Sequence, residues 1–250
     1  LMRPWKIALL AILVFLAGLV ALFPASLAVR WFLPEIPGLV LGAAEGSAWN
    51  GRVDGVEYNG WNAGNLHWSL NPLGILLLRA DADLRLARPG GEITAAVKAG
   101  LGGSVLIENL RGTLTVADLE NARLVPPNFA TGELVLNLES LMLEDGRPVS
   151  AAGRIGLVRL QSPLLPRMAL GDYAGEISTP EAGSIVLRFN ELEAPLQVRG
   201  EATLDASGSY RVAGRITPLA ATPEQIRRGL VFLGSPDNSG AYPFSFQGTL

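Results

Sequence analysis

Beyond about residue 50 the chain repeats one pattern, apolar and polar positions in alternation. Leu84 and Leu86 alternate with Asp83 and Arg85, and Ile93, Ala95 and Val97 with Thr94, Ala96 and Lys98. The same period runs through Leu134, Leu136 and Leu138, through Ile185, Leu187 and Phe189, and again at Leu196 and Val198 and at Tyr210 and Val212. Successive side chains of a strand point to opposite faces, so each stretch predicts a strand with one apolar and one polar face. Turn residues separate the stretches: Gly90-Gly91, Gly102-Gly103, Asp145-Gly146 and Ser207-Gly208. The expected fold class is all-β and mostly antiparallel. Strands of this kind must hide their apolar faces in a sandwich, a closed barrel, or a curved sheet shaped as an open half-barrel, and alternation alone does not choose.

Two features punctuate the strands. One short helix near the C-terminus is expected over 223–233, with Thr222 as N-cap, Pro223 in the first turn, Gln225 three residues after the cap and Gly234 as the stop. Pro126-Pro127 interrupts the strand run and predicts either an ordinary loop or a sub-boundary near 126–131.

The N-terminal pattern is different. From Ile7 to Val29 no charged residue occurs for 23 positions. As a helix this run reaches roughly 35 Å, enough for a hydrocarbon core of about 30 Å. Arg3 and Lys6 precede it, and Trp5 and Trp31 stand at its ends, where indoles favour the headgroup layer. The expectation is one N-terminal transmembrane helix, with residues 1–30 as cytoplasmic stub and anchor and 31–250 as a β-rich periplasmic domain. Positive charge ahead of the span sets that orientation in a bacterial inner membrane. The competing reading is a signal peptide cleaved after Ser26-Leu27-Ala28, although the apolar run Ile7–Phe23 exceeds the usual h-region of roughly 7–15 residues.

Charge and composition narrow the function. The chain has 20 Lys+Arg and 23 Asp+Glu; without Arg3, Lys6 and Arg30 the remainder carries 17 against 23, a net −6. So acidic a domain has no broad attraction for nucleic acid. Zero Cys and the single His67 argue against thiolate metal sites, thiol redox chemistry and Cys nucleophiles. His67 alternates with Leu66 and Trp68 and is expected on the polar face. Gly100-Leu101-Gly102-Gly103-Ser104 lacks the Lys-Ser/Thr pair of a phosphate loop and reads as a hairpin turn. The carboxylate pairs Asp81/Asp83 and Glu191/Glu193 read as solubilising. No nucleophile elbow or H-E-x-x-H motif is present, so neither an enzyme nor a cofactor is expected.

Aromatics and glycines concentrate in three stretches: Gly46-Ser47-Ala48-Trp49-Asn50-Gly51-Arg52, Leu66-His67-Trp68-Ser69-Leu70-Asn71-Pro72, and Pro236-Asp237 through Gly240-Ala241-Tyr242-Pro243-Phe244. Trp49, Trp61, Trp68, Tyr242 and Phe244 are either core aromatics or a docking surface. Tyr242, Phe244 and Phe246 alternate and should share one face of a last strand.

In order along the chain, the basic N-terminus, the single span, G-x-x-W-x-G-R ending at Arg52, L-x-W-x-L-x-P ending at Pro72 and the terminal P-D-x-x-G-x-Y-x-F resemble the type II secretion system protein N family. Gly132-Glu133-Leu134 through Gly153-Arg154-Ile155 is similar to that family's central strand pair, whereas Ala241 replaces a basic residue of its final element. The resemblance implies a non-enzymatic inner-membrane component for export of folded proteins across the outer membrane, with other secretion-system subunits as partners. The same elements also resemble AsmA-type proteins, which implies the alternative of a lipid-binding or lipid-transfer module with an apolar β-groove.

Overall fold

The computed structural model describes residues 18, 22–32, 36–72, 74, 79–100, 102–128, 130–162, 169–181, 183–220 and 222–249. Alternation delivers strands in chain order: β1 (Leu39–Gly46), β2 (Asn50–Tyr58), β3 (Trp61–Leu70), β4 (Arg79–Arg88), β5 (Gly91–Gly100), β6 (Ser104–Thr115) and β7 (Thr131–Glu144). There follow β8 (Arg147–Gln161), β9 (Ala169–Glu181), β10 (Ser184–Glu193), β11 (Leu196–Asp205), β12 (Ser209–Pro218) and β13 (Tyr242–Thr249). Helices α1 (Ala25–Phe32), α2 (Val116–Asn121) and α3 (Glu224–Gly229) complete the described elements, with a 3₁₀ turn over Leu230–Leu233.

All 13 strands form one antiparallel sheet in sequence order, each hydrogen-bonded to its neighbours along the chain. The two ends of that order, β1 and β13, do not pair, so the sheet is open. The open-sheet alternative is therefore the observed one, neither a sandwich nor a closed barrel. Pro126-Pro127 lies in the connection between β6 and β7, which pair directly with each other.

A single layer leaves little fully dry interior. Among the described residues Val53 is the one large side chain that is fully buried, and most strand residues are half-buried. The molecule exposes 16194 Å², where a compact monomer of 26.4 kDa exposes about 10,600 Å². Two small clusters supply the packing. Val53, Val56 and Ala63 gather Val29, Leu41, Trp61, Trp68 and Leu86 at the N-terminal side, while Val116, Ala130 and Leu160 gather Val125, Leu157 and Tyr173 in the middle.

The N-terminal expectation meets the structure only in part. Arg3, Trp5, Lys6 and most of the run Ile7–Val29 lie outside the described residues, as does the side chain of Trp31. Among the described residues no helix is long and apolar enough to cross a membrane. The described tail of the run does not continue as one helix. The Phe23 carbonyl accepts the Ala48 N–H at 2.8 Å and Pro24 bridges to Ser47, after which α1 begins with Ala25 fully buried.

Near the C-terminus the helix exists but its cap differs from expectation. Pro223 holds the N-cap position of α3 without a side-chain bond. The buried Thr222 hydroxyl instead donates to the Pro195 carbonyl at 2.5 Å and accepts the Leu219 N–H at 2.7 Å. A tertiary acceptor from the β10–β11 turn has claimed the group that local spacing assigns to the helix.

Candidate functional site

Two of the three aromatic stretches meet in one place. The β1–β2 turn carries Ser47, Ala48 and Trp49, and the Trp49 carbonyl accepts the Leu70 N–H at 2.7 Å. On β3, Trp68 faces Gly51 of β2, and its indole Nε1–H donates to the Ala48 carbonyl at 2.9 Å. A Cβ on Gly51 would lie 2.3 Å from Trp68 Cζ2, so only glycine admits the ring there. Trp49 is half-buried, and Trp61 packs on the Val53 cluster. The three indoles thus frame the N-terminal end of the sheet and do not form one exposed patch. His67 is exposed, paired across the strands with Arg52 and Arg85, on the polar face as expected.

Trp61 also underlies a buried charge. The Arg88 guanidinium lies 5.1 Å from the indole centroid and its side chain is only 4% exposed. Its Nη2 meets Asp118 Oδ2 at 2.5 Å, which ties α2 to the end of β4. Asp118 belongs to a capping box: Thr115 N–H donates to its carboxylate at 2.7 Å, and its own N–H donates to Thr115 Oγ1 at 3.1 Å. Burial acts to raise the Asp118 carboxyl, but the Thr115 N–H and the Arg88 guanidinium outweigh it and hold it below its ordinary value. Sequence reasoning passed over α2, although Thr115-x-x-Asp118 is a legible capping signature.

The terminal stretch builds a turn and an edge. Asp237 Oδ1 accepts from Ser239 Oγ at 2.5 Å, from Ser239 N–H at 2.8 Å and from Ala241 N–H at 3.1 Å. Those bonds, the Ser239 hydroxyl foremost, hold its carboxyl below the usual range. Ala241 is buried in this turn, which leaves no room for a long basic side chain. Tyr242, Phe244 and Phe246 then pair with Ile216, Gly214 and Val212, sharing one face as expected. Tyr242 and Phe244 are half-buried, but Phe246 is 59% exposed, because β13 is an edge with no second layer over it.

The largest feature is the apolar face itself, which no single motif announces. Cross-strand partners point to the same face. One row runs Gly112, Leu136, Ile155, Gly175, Phe189, Gly200, Gly214, Phe244 from β6 to β13 without a polar residue. The adjacent row runs Leu110, Leu138, Gly153, Ile177, Leu187, Ala202, Val212, Phe246 over the same strands. The other face carries Arg154, Glu176, Arg188 and Glu201 as direct neighbours, alternating in sign.

Phe189 and Phe244 lie on β10 and β13, whose backbones a flat sheet would separate by about 14 Å. Their ring centroids are 6.5 Å apart, the planes inclined by 23°. Between them stand Gly200 and Gly214, and a Cβ on either would come within 2.7 Å of a phenyl Cζ. The two rings lean toward each other over the glycines.

Set beside known proteins, the chain matches the profile of the type II secretion system (T2SS) protein N family over residues 37–245, nearly the whole sheet. The chain belongs to the type II secretion system protein N family. Relatives carrying that name are 27% identical over 244 residues in Vibrio cholerae, covering 95% of each chain, and 26% identical over 249 residues in Aeromonas hydrophila, covering 98% of each. A third, from Pectobacterium carotovorum, is 21% identical over 240 residues, covering 92% of each. No solved structure matches. The family match starts at β1 and reaches into β13, so the open sheet is the part of the chain that the family shares.

Proposed function

We propose that this protein is a non-enzymatic component of the type II secretion machinery, held in the bacterial inner membrane by its N-terminus with the sheet in the periplasm. The observation that carries the reading is the family match across 37–245, together with full-length relatives of that name. Its contribution is to export of folded proteins across the outer membrane, in contact with other secretion-system subunits. The strand-rich body carries no nucleophile or thiol constellation, and its polar groups are spent on turns, caps and cross-strand pairs.

The packing of α1 supports an anchor that stays attached. Ala25 is fully buried and the Phe23 carbonyl accepts the Ala48 N–H, so cleavage after Ala28 would remove contacts that the sheet makes with the chain before it. An anchor would then end near Phe23, and Ile7–Phe23 supplies 17 residues, about the shortest span that crosses a bilayer.

Deleting the gene for this chain should reduce the amount of a type II substrate reaching the medium and strand it in the periplasm; supplying the full chain should restore export. Unchanged export in the deletion strain would refute the role. N-terminal sequencing of the membrane-extracted protein tests the anchor, which a mature chain beginning near Val29 would overturn.

A further inference from the structure

We propose that the outer side of β13 is a docking edge for an extended strand of another polypeptide, which continues the sheet beyond it. β12 takes only one side of β13. Proline is tolerated in a sheet where its missing N–H turns to solvent. Pro243 therefore marks the outward positions, and Ser245, Gln247 and Thr249 follow it at the strand period. Their N–H and C=O groups point away from β12, and among the described residues nothing pairs with them.

Sheet edges are ordinarily blunted by charges, bulges or covering segments. β13 carries no charged residue, its register with β12 runs without a bulge, and Pro243 guards only its start. The opposite edge is better protected. Beside the end of β1 the Phe23 carbonyl takes the Ala48 N–H and Pro24 bridges to Ser47, and Glu45 puts a charge on the strand itself. Apolar side chains flank the open edge. The 3₁₀ turn Leu230–Leu233 touches β13 and is pinned by buried Leu230, yet Val231 is 65% and Phe232 94% exposed. Unpaired strand backbone beside apolar anchors is what recognition by strand addition uses.

The chemistry of the edge selects the occupant. Alternating N–H and C=O groups are complemented by another extended backbone, whereas a helix has already spent its own. On one face the added strand brings apolar residues beside Phe244 and Phe246. On the other, Arg211 pairs with Gln247 and has no acid partner among the described residues, and Arg199 and Arg215 stand directly opposite each other next to Pro243. Like charges so placed repel, and an acidic residue on the added strand offsets them.

A second copy does not fit, an argument that rests on the proposed N-terminal anchor. An antiparallel β13–β13 pair turns one copy end for end and sends the two anchors in opposite directions, which copies in one membrane cannot do. A parallel pair sets the apolar face of one copy beside the polar face of the other, and pairing onto β1 meets the protected edge. The occupant is an alternating strand of a different polypeptide, which gives the proposed contact with other secretion-system subunits a place and a chemistry.

The test keeps the full chain in its own membrane, in the deletion strain, with Gln247 replaced by the photoreactive p-benzoylphenylalanine. Irradiation should give an adduct with a different polypeptide, mapped by mass spectrometry to a segment of alternating apolar and polar residues. Ser245→Pro removes one outward N–H and leaves the β12 ladder whole; it should lower the adduct about tenfold at unchanged protein level. Phe232→Ser, at a side chain that folding leaves in solvent, should lower it too, and decides the matter if the proline variant does not accumulate. Adduct retained in the accumulating variant, an adduct with a second copy, or no adduct would overturn the edge. Export scored in the same cells separates the two readings. Restored export without an adduct sinks the edge alone, whereas a mapped adduct without restored export sinks the secretion role and leaves the edge standing.

Discussion

At the scale of single residues, the structure is held at points where a side chain reaches across the sheet to a backbone group or a buried charge. Trp68 is one. Trp68→Phe keeps the ring on Gly51 but leaves the Ala48 carbonyl without its donor, and should cost about 1–3 kcal/mol in urea unfolding followed by circular dichroism. Trp68→Ala, which empties the site, should cost about 3–5 kcal/mol. The Arg88–Asp118 pair is the other. Asp118→Asn leaves a guanidinium that is 4% exposed facing no charge and should cost about 3–5 kcal/mol, most of it recovered when Arg88→Met is added. Its pH dependence has a definite sign. The folded Asp118 carboxyl is held below its ordinary value, so its contribution is present above the unfolded pKa and is lost as pH falls through the folded one. Below about pH 4 the fall of unfolding free energy with pH should be shallower in Asp118→Asn than in the parent, as urea unfolding repeated at several pH values will read.

At the scale of elements, much was legible. Alternation located the strands, the Gly-rich dipeptides located their turns, and His67 fell on the polar face because a period of two leaves it no alternative. What escaped is local chemistry with a tertiary competitor or a weak pattern. Leu39–Gly46 became β1 although Leu39-Val40-Leu41-Gly42-Ala43-Ala44 scarcely alternates, because β2 offered it a hydrogen-bonding edge. Thr222 was lost as a cap to the Pro195 carbonyl. The aromatics of the last strand split in a way alternation could not foresee, Phe244 stacking with Phe189 across two glycines and Phe246 left 59% exposed. Truncation after Gly234 removes β13 and the Phe244 ring, strips β12 of a neighbour and creates a new unprotected edge. The truncated protein should be degraded in cells, read as a large drop in its steady-state level on immunoblots. Accumulation at parental level with loss of secretion would make β13 a docking edge instead. A gentler version is Gly214→Ala, whose Cβ would meet Phe244 Cζ and the Arg199 carbonyl at 2.7 Å; it should cost about 1–3 kcal/mol by lifting the ring.

At the scale of the whole molecule, a single open layer predicts dimensions. A compact chain of 250 residues has a radius of gyration of about 18 Å, and this one should exceed it clearly in neutron scattering with the detergent contrast-matched. A value at the compact limit would mean that the sheet closes or doubles in solution. The sequence by itself determined that the body is antiparallel β, that each strand has one wet face and one dry one, and that thiol chemistry is absent, because those properties reside in the spacing and identity of neighbouring residues. It also carried the ordered motifs by which the family is recognised. Only the tertiary structure decided how the dry faces are disposed. Sandwich, barrel and open trough all satisfy the same alternation, and the choice rests on long-range registers that bring Gly112, Gly175, Gly200 and Gly214 into one row with Leu136, Ile155, Phe189 and Phe244. Glycines in that row let large side chains lie over them, and the two ends of the strand order stay unpaired, so the sheet spreads its apolar face in one layer without closing on it.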